Sequence, residues 1–187
     1  IKVNTLDDEL NTDGDCSFRE AVLASENNAD ADKCQAVGVY GADTIDLTGL
    51  SGTIPVSGGE LNLTENLTII GSGMDKLILD GVDYSQRLFA VIGLSGSQAV
   101  EVSDLSINRF GYLPDTLFGG SLYVSKGNAL KVDKVKFEDN HNLAGFGGAI
   151  GTSTGIVKIS NSIFTNNQAQ LGGAIANQNG IITSVNN

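Results

Sequence analysis

The chain has 187 residues, 41% of them hydrophobic, with 24 glycines, two prolines and no tryptophan. That is enough for one domain with a sizeable core and too apolar for a disordered segment. Eleven basic against 22 acidic residues leave a net charge of −11, which repels nucleic-acid backbones and anionic membrane surfaces and disfavours polyanionic sugars unless a cation bridges.

In chain order, Ile1 and Val3 alternate as a starting strand, and an opening on Ile rather than Met leads us to expect a mature or excised segment. The stretch DGDCSFREAVLASENN, residues 13–28, then reads as a short capped helix. Ser17 at the N-cap and Glu20 three positions on form a capping box, and Phe18, Ala21, Val22 and Leu23 or Ala24 make an apolar stripe. The two cysteines, Cys16 and Cys34, are an even pair and predict a disulfide and an oxidising compartment, with two buried free thiols as the alternative. Neither cysteine stands at ligand spacing from the single histidine, His141, so a metal site is not expected. We read residues 1–40 as an N-terminal cap that covers the first turn of a repeating region.

Asn11, Asp13 and Asp15 alternate like the start of an EF-hand loop. Cys16 stands where that loop needs glycine and Val22 where it needs glutamate, so the motif fails. Asp30 and Asp32 in NNADAD are the remaining candidate calcium ligands, and no cofactor motif is legible.

From residue 41 to 187 the chain repeats. LNLTENLTI (61–69), VEVSDLSI (100–107), LKVDKVKF (130–137) and VKISNSIF (157–164) each place apolar residues at alternate positions on both sides of a polar break. GGSLYV (119–124) and two copies of GGAI (147–150 and 172–175) recur between them, and RLFAVIG (87–93) takes the same place without the glycines. The longest apolar run, 88–94, contains a glycine and reads as a strand, well short of the roughly 20 residues of a membrane helix. Short strands at this period, bounded by Gly, Asn, Asp and Ser, predict an all-β fold, a right-handed parallel β-helix whose turns bury apolar side chains by stacking. Lys131, Lys134, Lys136 and Lys158 fall at outward positions. Phe137 and Phe164 are expected to stack inside, and Asn140 and Asn167 to occupy successive left-handed bends, each bonding its own backbone. The repeat breaks off at a polar bend, so we expect further turns and read the chain as one folding unit truncated at its C-terminal end.

DGDCSFREAV resembles the motif that names the CSLREA-domain proteins, with Phe18 and Val22 as departures. FEDN (137–140) with GGAI, and FTNN (164–167) with GGAI, resemble the repeats of the chlamydial polymorphic outer-membrane proteins. Phe110 stands where the repeat has asparagine, and FGGS replaces GGAI in the same turn. These resemblances imply an extracellular or bacterial cell-surface protein of adhesin type and imply no chemistry.

Chemistry is sparse in the residues themselves. Of the three arginines, Arg19 belongs to the cap helix, while Arg87 and Arg109 flank one turn and are candidates to share a surface with Asp83, Asp104 or Asp115. The loop GYLPDTLFGG (111–120) departs furthest from the repeat, and its Tyr112, Leu117 and Phe118 are candidate binding residues together with Arg87 and Arg109. Catalytic residues are not assigned. The expected function is an adhesin or binding scaffold whose partner is a glycan or a host or cell-surface protein, without nucleic acid and without membrane insertion by this segment. The alternative is a polysaccharide lyase or glycoside hydrolase of the β-helix class. An ice-binding surface would need a threonine ladder that the repeats lack.

Overall fold

A computed structural model describes residues 1–94, 98–111 and 117–187. The candidate residues Tyr112 and Asp115 lie outside the described residues. After the single helix α1 (Phe18–Asn27) come short strands grouped by turn. The first turn holds β1 (Ala42–Asp46), β2 (Gly52–Pro55) and β3 (Leu61–Leu63), the second β4 (Asn66–Ile70), β5 (Leu77–Asp80) and β6 (Phe89–Val91). The third holds β7 (Val100–Asn108) and β8 (Leu122–Val124). The fourth holds β9 (Ala129–Glu138), β10 (His141–Phe146) and β11 (Ile150–Ser153). The fifth holds β12 (Ile156–Ser160), β13 (Ile163–Thr165), β14 (Gln168–Leu171) and β15 (Ile175–Gln178), and β16 (Ile181–Val185) comes last.

All named strand pairs are parallel, and like strands of successive turns stack into a β-solenoid of about five turns. One sheet runs β1-β4-β7-β9-β12-β16 and another β3-β6-β8-β11-β15. β2, β5, the second halves of β7 and β9, and β13 form the side between them, and β10 pairs with β14 at the corner beyond it. Because side chains alternate across a strand, in-register stacking puts like on like. Ile45, Ile69, Val102, Val132 and Ile159 form one buried column, and Leu79, Ile107 and Phe137 another that the partly buried Phe164 continues. The rings of Phe137 and Phe164 stack at 4.9 Å and 8°.

Two details correct the sequence reading. Residues 61–69 are not one repeat unit: Leu61 and Leu63 pair with Phe89 and Val91 in one sheet, whereas Leu67 and Ile69 pair with Val100 and Val102 in another. Alternation looks the same on every side of a solenoid, so it cannot say which side a strand belongs to. The left-handed bends fall one residue earlier than expected, at Asp139 (φ 53°) and Asn166 (φ 56°). Asn140 and Asn167 instead bond across turns. Asn140 Oδ1 accepts from Phe110 N, and Asn140 Nδ2 donates to Ile107 O and to Asn167 Oδ1. Phe110 stacks on this ladder in the turn before, fully buried over Gly81, where a Cβ would lie 2.7 Å from its ring.

The helix, its capping box and the disulfide are as expected. Ser17 and Glu20 bond reciprocally in a capping box, and Phe18, Ala21, Val22 and Ala24 are buried while Leu23 faces solvent. Cys16 and Cys34 are disulfide-bonded. The backbone around Lys2 pairs with Asp46 and covers part of the β1 edge. Arg19 is buried and ion-paired with Asp8 at 2.9 Å, and it also donates to Gly59 O in the first turn. Asp8 in turn accepts from the Ser57 and Gly58 amides. No described helix is long and apolar enough to cross a membrane.

Candidate recognition corner along strand β10

Residues 110–111 and 117–118 lie against β10. His141 N donates to Phe110 O at 2.8 Å and Phe146 N to Leu117 O at 2.7 Å, so Gly111 aligns with His141 and Phe118 with Phe146. An aromatic pair forms at each end of the strand. At one end the Tyr84 and His141 rings are parallel, 4.4 Å apart and 4° from coplanar. At the other, Phe118 packs on Phe146 with centroids 5.3 Å apart and on Tyr123 at 6.2 Å. Between the pairs, Leu117 and Leu143 are 62% and 67% exposed.

The Tyr84–His141 pair skips a turn: Tyr84 belongs to the second turn and His141 to the fourth. The intervening position is Gly111, where a Cβ would sit 2.8 Å from Tyr84 Cβ. Val82 and Tyr84 both have positive φ, 61° and 60°, a conformation β-branched and bulky residues rarely adopt. Asp80 holds this bend by accepting from Val82 N, and its other oxygen takes both Nε and Nη2 of Arg109, at 3.0 and 2.7 Å. That pairing raises the Arg109 pKa, burial opposes it, and the charges of Asp80, Tyr84 and Asp139 add to the rise.

Arg87 lies at the other end of the corner. It pairs with Glu60 at 3.0 Å, donates to Gly119 O, and sits 5.2 Å over the Tyr123 ring. Beyond Phe146 the surface dips into a groove of about 350 Å³ lined by Phe118, Phe146, Leu171, Ala176, Asn177 and Gln178.

The sequence-derived candidates therefore divide. Leu117 and Phe118 sit on the corner, Arg109 and Arg87 stand at its two ends, and Arg109 pairs with Asp80 rather than with Asp83 or Asp104. Tyr84, Tyr123, His141 and Phe146 escape sequence reasoning. Phe118, Phe146 and Leu171 each precede a glycine pair, and that recurrence could have identified them. Tyr84 carries no such signal, because its contact depends on a turn being skipped.

Other chemistry is restrained. Asp80 and Glu138 stand two turns apart on one outward ladder, like the two carboxylates of a glycosidase, yet each is bound to a cation, Arg109 and Lys136. Asp30 is engaged by Tyr40 and Gln35, and Asp32 by Gly14 N. Among the described residues, the carboxylates that do converge are Asp7, Glu9 and Asp15 beside the cap helix, with ligand atoms within 4.8 Å of one another. Burial raises the pKa of Glu9 and of Asp15, and neighbouring carboxylates, Asp13 foremost, raise both further. Hard-oxygen clusters of this kind suit a divalent cation.

Comparison of the chain with family models, with curated proteins and with solved structures gives no significant match.

Proposed function

We propose that this chain is a recognition module of a secreted or surface-displayed bacterial protein, an adhesin or binding scaffold whose partner is a glycan or a cell-surface protein. The observation that carries the reading is the β10 corner, where two aromatic pairs and two exposed leucines gather along one strand of an acidic molecule. Exposed apolar clusters of this kind are where partners anchor. The disulfide supports an oxidising destination. The resemblance of the cap to CSLREA-domain proteins and of the repeats to outer-membrane adhesins supports the surface assignment.

The test is binding of the oxidised protein to bacterial and animal cell surfaces and to immobilised glycans, with Leu117→Ser/Leu143→Ser as the comparison. Saturable binding that the double variant weakens is the expected result. Absence of binding to every surface would sink the reading. Appearance of new chain ends in a polysaccharide would replace it with a lyase or hydrolase.

A further inference from the structure

We infer that the Tyr84–His141–Arg109 end of the corner is a subsite for an uncharged sugar bearing neighbouring hydroxyl groups. The inference rests on the recognition reading and names the ligand class for one part of that surface. Three independent features show that the place is built. Val82 and Tyr84 hold left-handed backbone that costs energy to maintain, of the kind that collects at ligand-binding positions. Gly111 leaves the gap through which the Tyr84 ring reaches across a turn to His141. Arg109 is fixed through Nε and Nη2 on one Asp80 oxygen, while its side chain stays 46% exposed.

The chemistry of the surroundings selects the ligand. Tyr84 and His141 are each half-buried, so the stacked pair leaves part of its ring surface to solvent, and such a surface suits the C–H groups of a pyranose ring. Beside it, the half-exposed Arg109 supplies donors, and Asp139, whose charge acts on Arg109, supplies an acceptor. Adjacent sugar hydroxyls donate and accept at once, so they satisfy both kinds of group together. The formal charge of Arg109, Asp80, Asp83 and Asp139 is negative even with His141 protonated, and the whole chain stands at −11. A uronate or sialate would be repelled; a neutral hexose is not.

His141 is the only histidine in the chain, so its ring proton signals in NMR are a unique reporter of this subsite. The experiment titrates the oxidised protein with neutral gluco-, manno- and galacto-oligosaccharides and with oligogalacturonate. It tracks the His141 ring signals and saturation transfer to the sugar. The expected result is a saturable shift of the His141 signals with at least one neutral oligosaccharide and a weaker one with oligogalacturonate. Arg109→Gln and Tyr84→Ala should each weaken that binding about tenfold or more, while Tyr84→Phe, which keeps the ring, should retain most of it. If Tyr84→Ala fails to fold, the Arg109→Gln and Tyr84→Phe titrations carry the test. Sugar binding that leaves His141 unmoved, or that survives Arg109→Gln unchanged, overturns the subsite but leaves the recognition reading standing. A preference for oligogalacturonate overturns the ligand class. Binding to cells with no sugar bound overturns the inference alone, and absence of both overturns the proposed function as well.

Discussion

Arg19 sits in the cap helix with 7% of its side chain exposed, and the Asp8 side chain it pairs with is 1% exposed. Removing one partner would strand the other charge in a dry place and leave the Ser57 and Gly58 amides without their acceptor, or Gly59 O without its donor. Breaking buried pairs of this kind costs about 3–5 kcal/mol. We expect Arg19→Met to lower the urea midpoint accordingly, and Arg19→Lys to recover only part of the loss, since an ammonium cannot match the two-point contact.

The charges around Glu9 act in the opposite sense. Its folded pKa is raised, as is that of Asp15, so above those values the ionised pair opposes folding, and the opposition fades as pH falls through them. Asp46 and Asp133 are lowered by hydrogen bonds from Thr48 and from Ser160, so the stability they contribute is present above their unfolded values and is lost as pH falls through the folded ones. Melting temperature should therefore first rise and then fall as the solution is acidified from neutrality. Glu9→Gln should raise it at pH 7 and have little effect once Glu9 is protonated, which a thermal melt series in pH would show.

At the level of strands and corners, the paired glycines are unequal. A Cβ on Gly148 would overlap Gly173 O and lie 2.6 Å from the Gln168 backbone, whereas a Cβ on Gly173 meets nothing nearer than Asn167 O at 3.3 Å. Gly148→Ala should cost about 1–3 kcal/mol through overpacking and Gly173→Ala far less, a difference that denaturant unfolding of the two variants would measure. The two glycines look identical in the sequence, since each stands in a GGAI. Only the presence of a further turn stacked above distinguishes them. The same limit explains what could be read from residues alone. Val100, Leu130 and Val157 announced their stacking through alternation, and Ser17 and Glu20 announced the capping box, because both signals are local. The sequence points Asn140 to its own bend because its actual partners, Phe110 N and Ile107 O, are about 30 residues away. Leu117 and Phe118 are visible as apolar residues in a loop that breaks the repeat; Tyr84 and His141 meet only because Gly111 leaves the gap between them.

For the whole molecule, each turn contacts chiefly the turns beside it, so stability is a sum of neighbouring interfaces rather than one closed core. Amides of β7 and β9, which have turns on both sides, should exchange most slowly with solvent. Those of β14, β15 and β16 should exchange fastest, and hydrogen-exchange mass spectrometry would order them. The N-terminal segment covers part of the β1 edge, and its disulfide closes a loop that in the chain-entropy model contributes about 3 kcal/mol. Cys16→Ser/Cys34→Ser should release amides of α1 and β1 well before those of β9. Uniform loss of protection along the chain would show instead that the solenoid unfolds as one unit.

The same disulfide has a mechanical consequence. Inter-turn hydrogen bonds run along the axis of the stack, so tension on Ile1 first strips the short segment around Lys2 from the β1 edge and then loads the Asp8–Arg19 contact. The residues between Cys16 and Cys34, 18 apart in sequence, cannot unravel while the bond is intact. They amount to about 60 Å of extended chain. The chain pulled by this end would lengthen by that much less in an oxidising medium than in a reducing one, and single-molecule stretching would read the difference as a missing step in contour length.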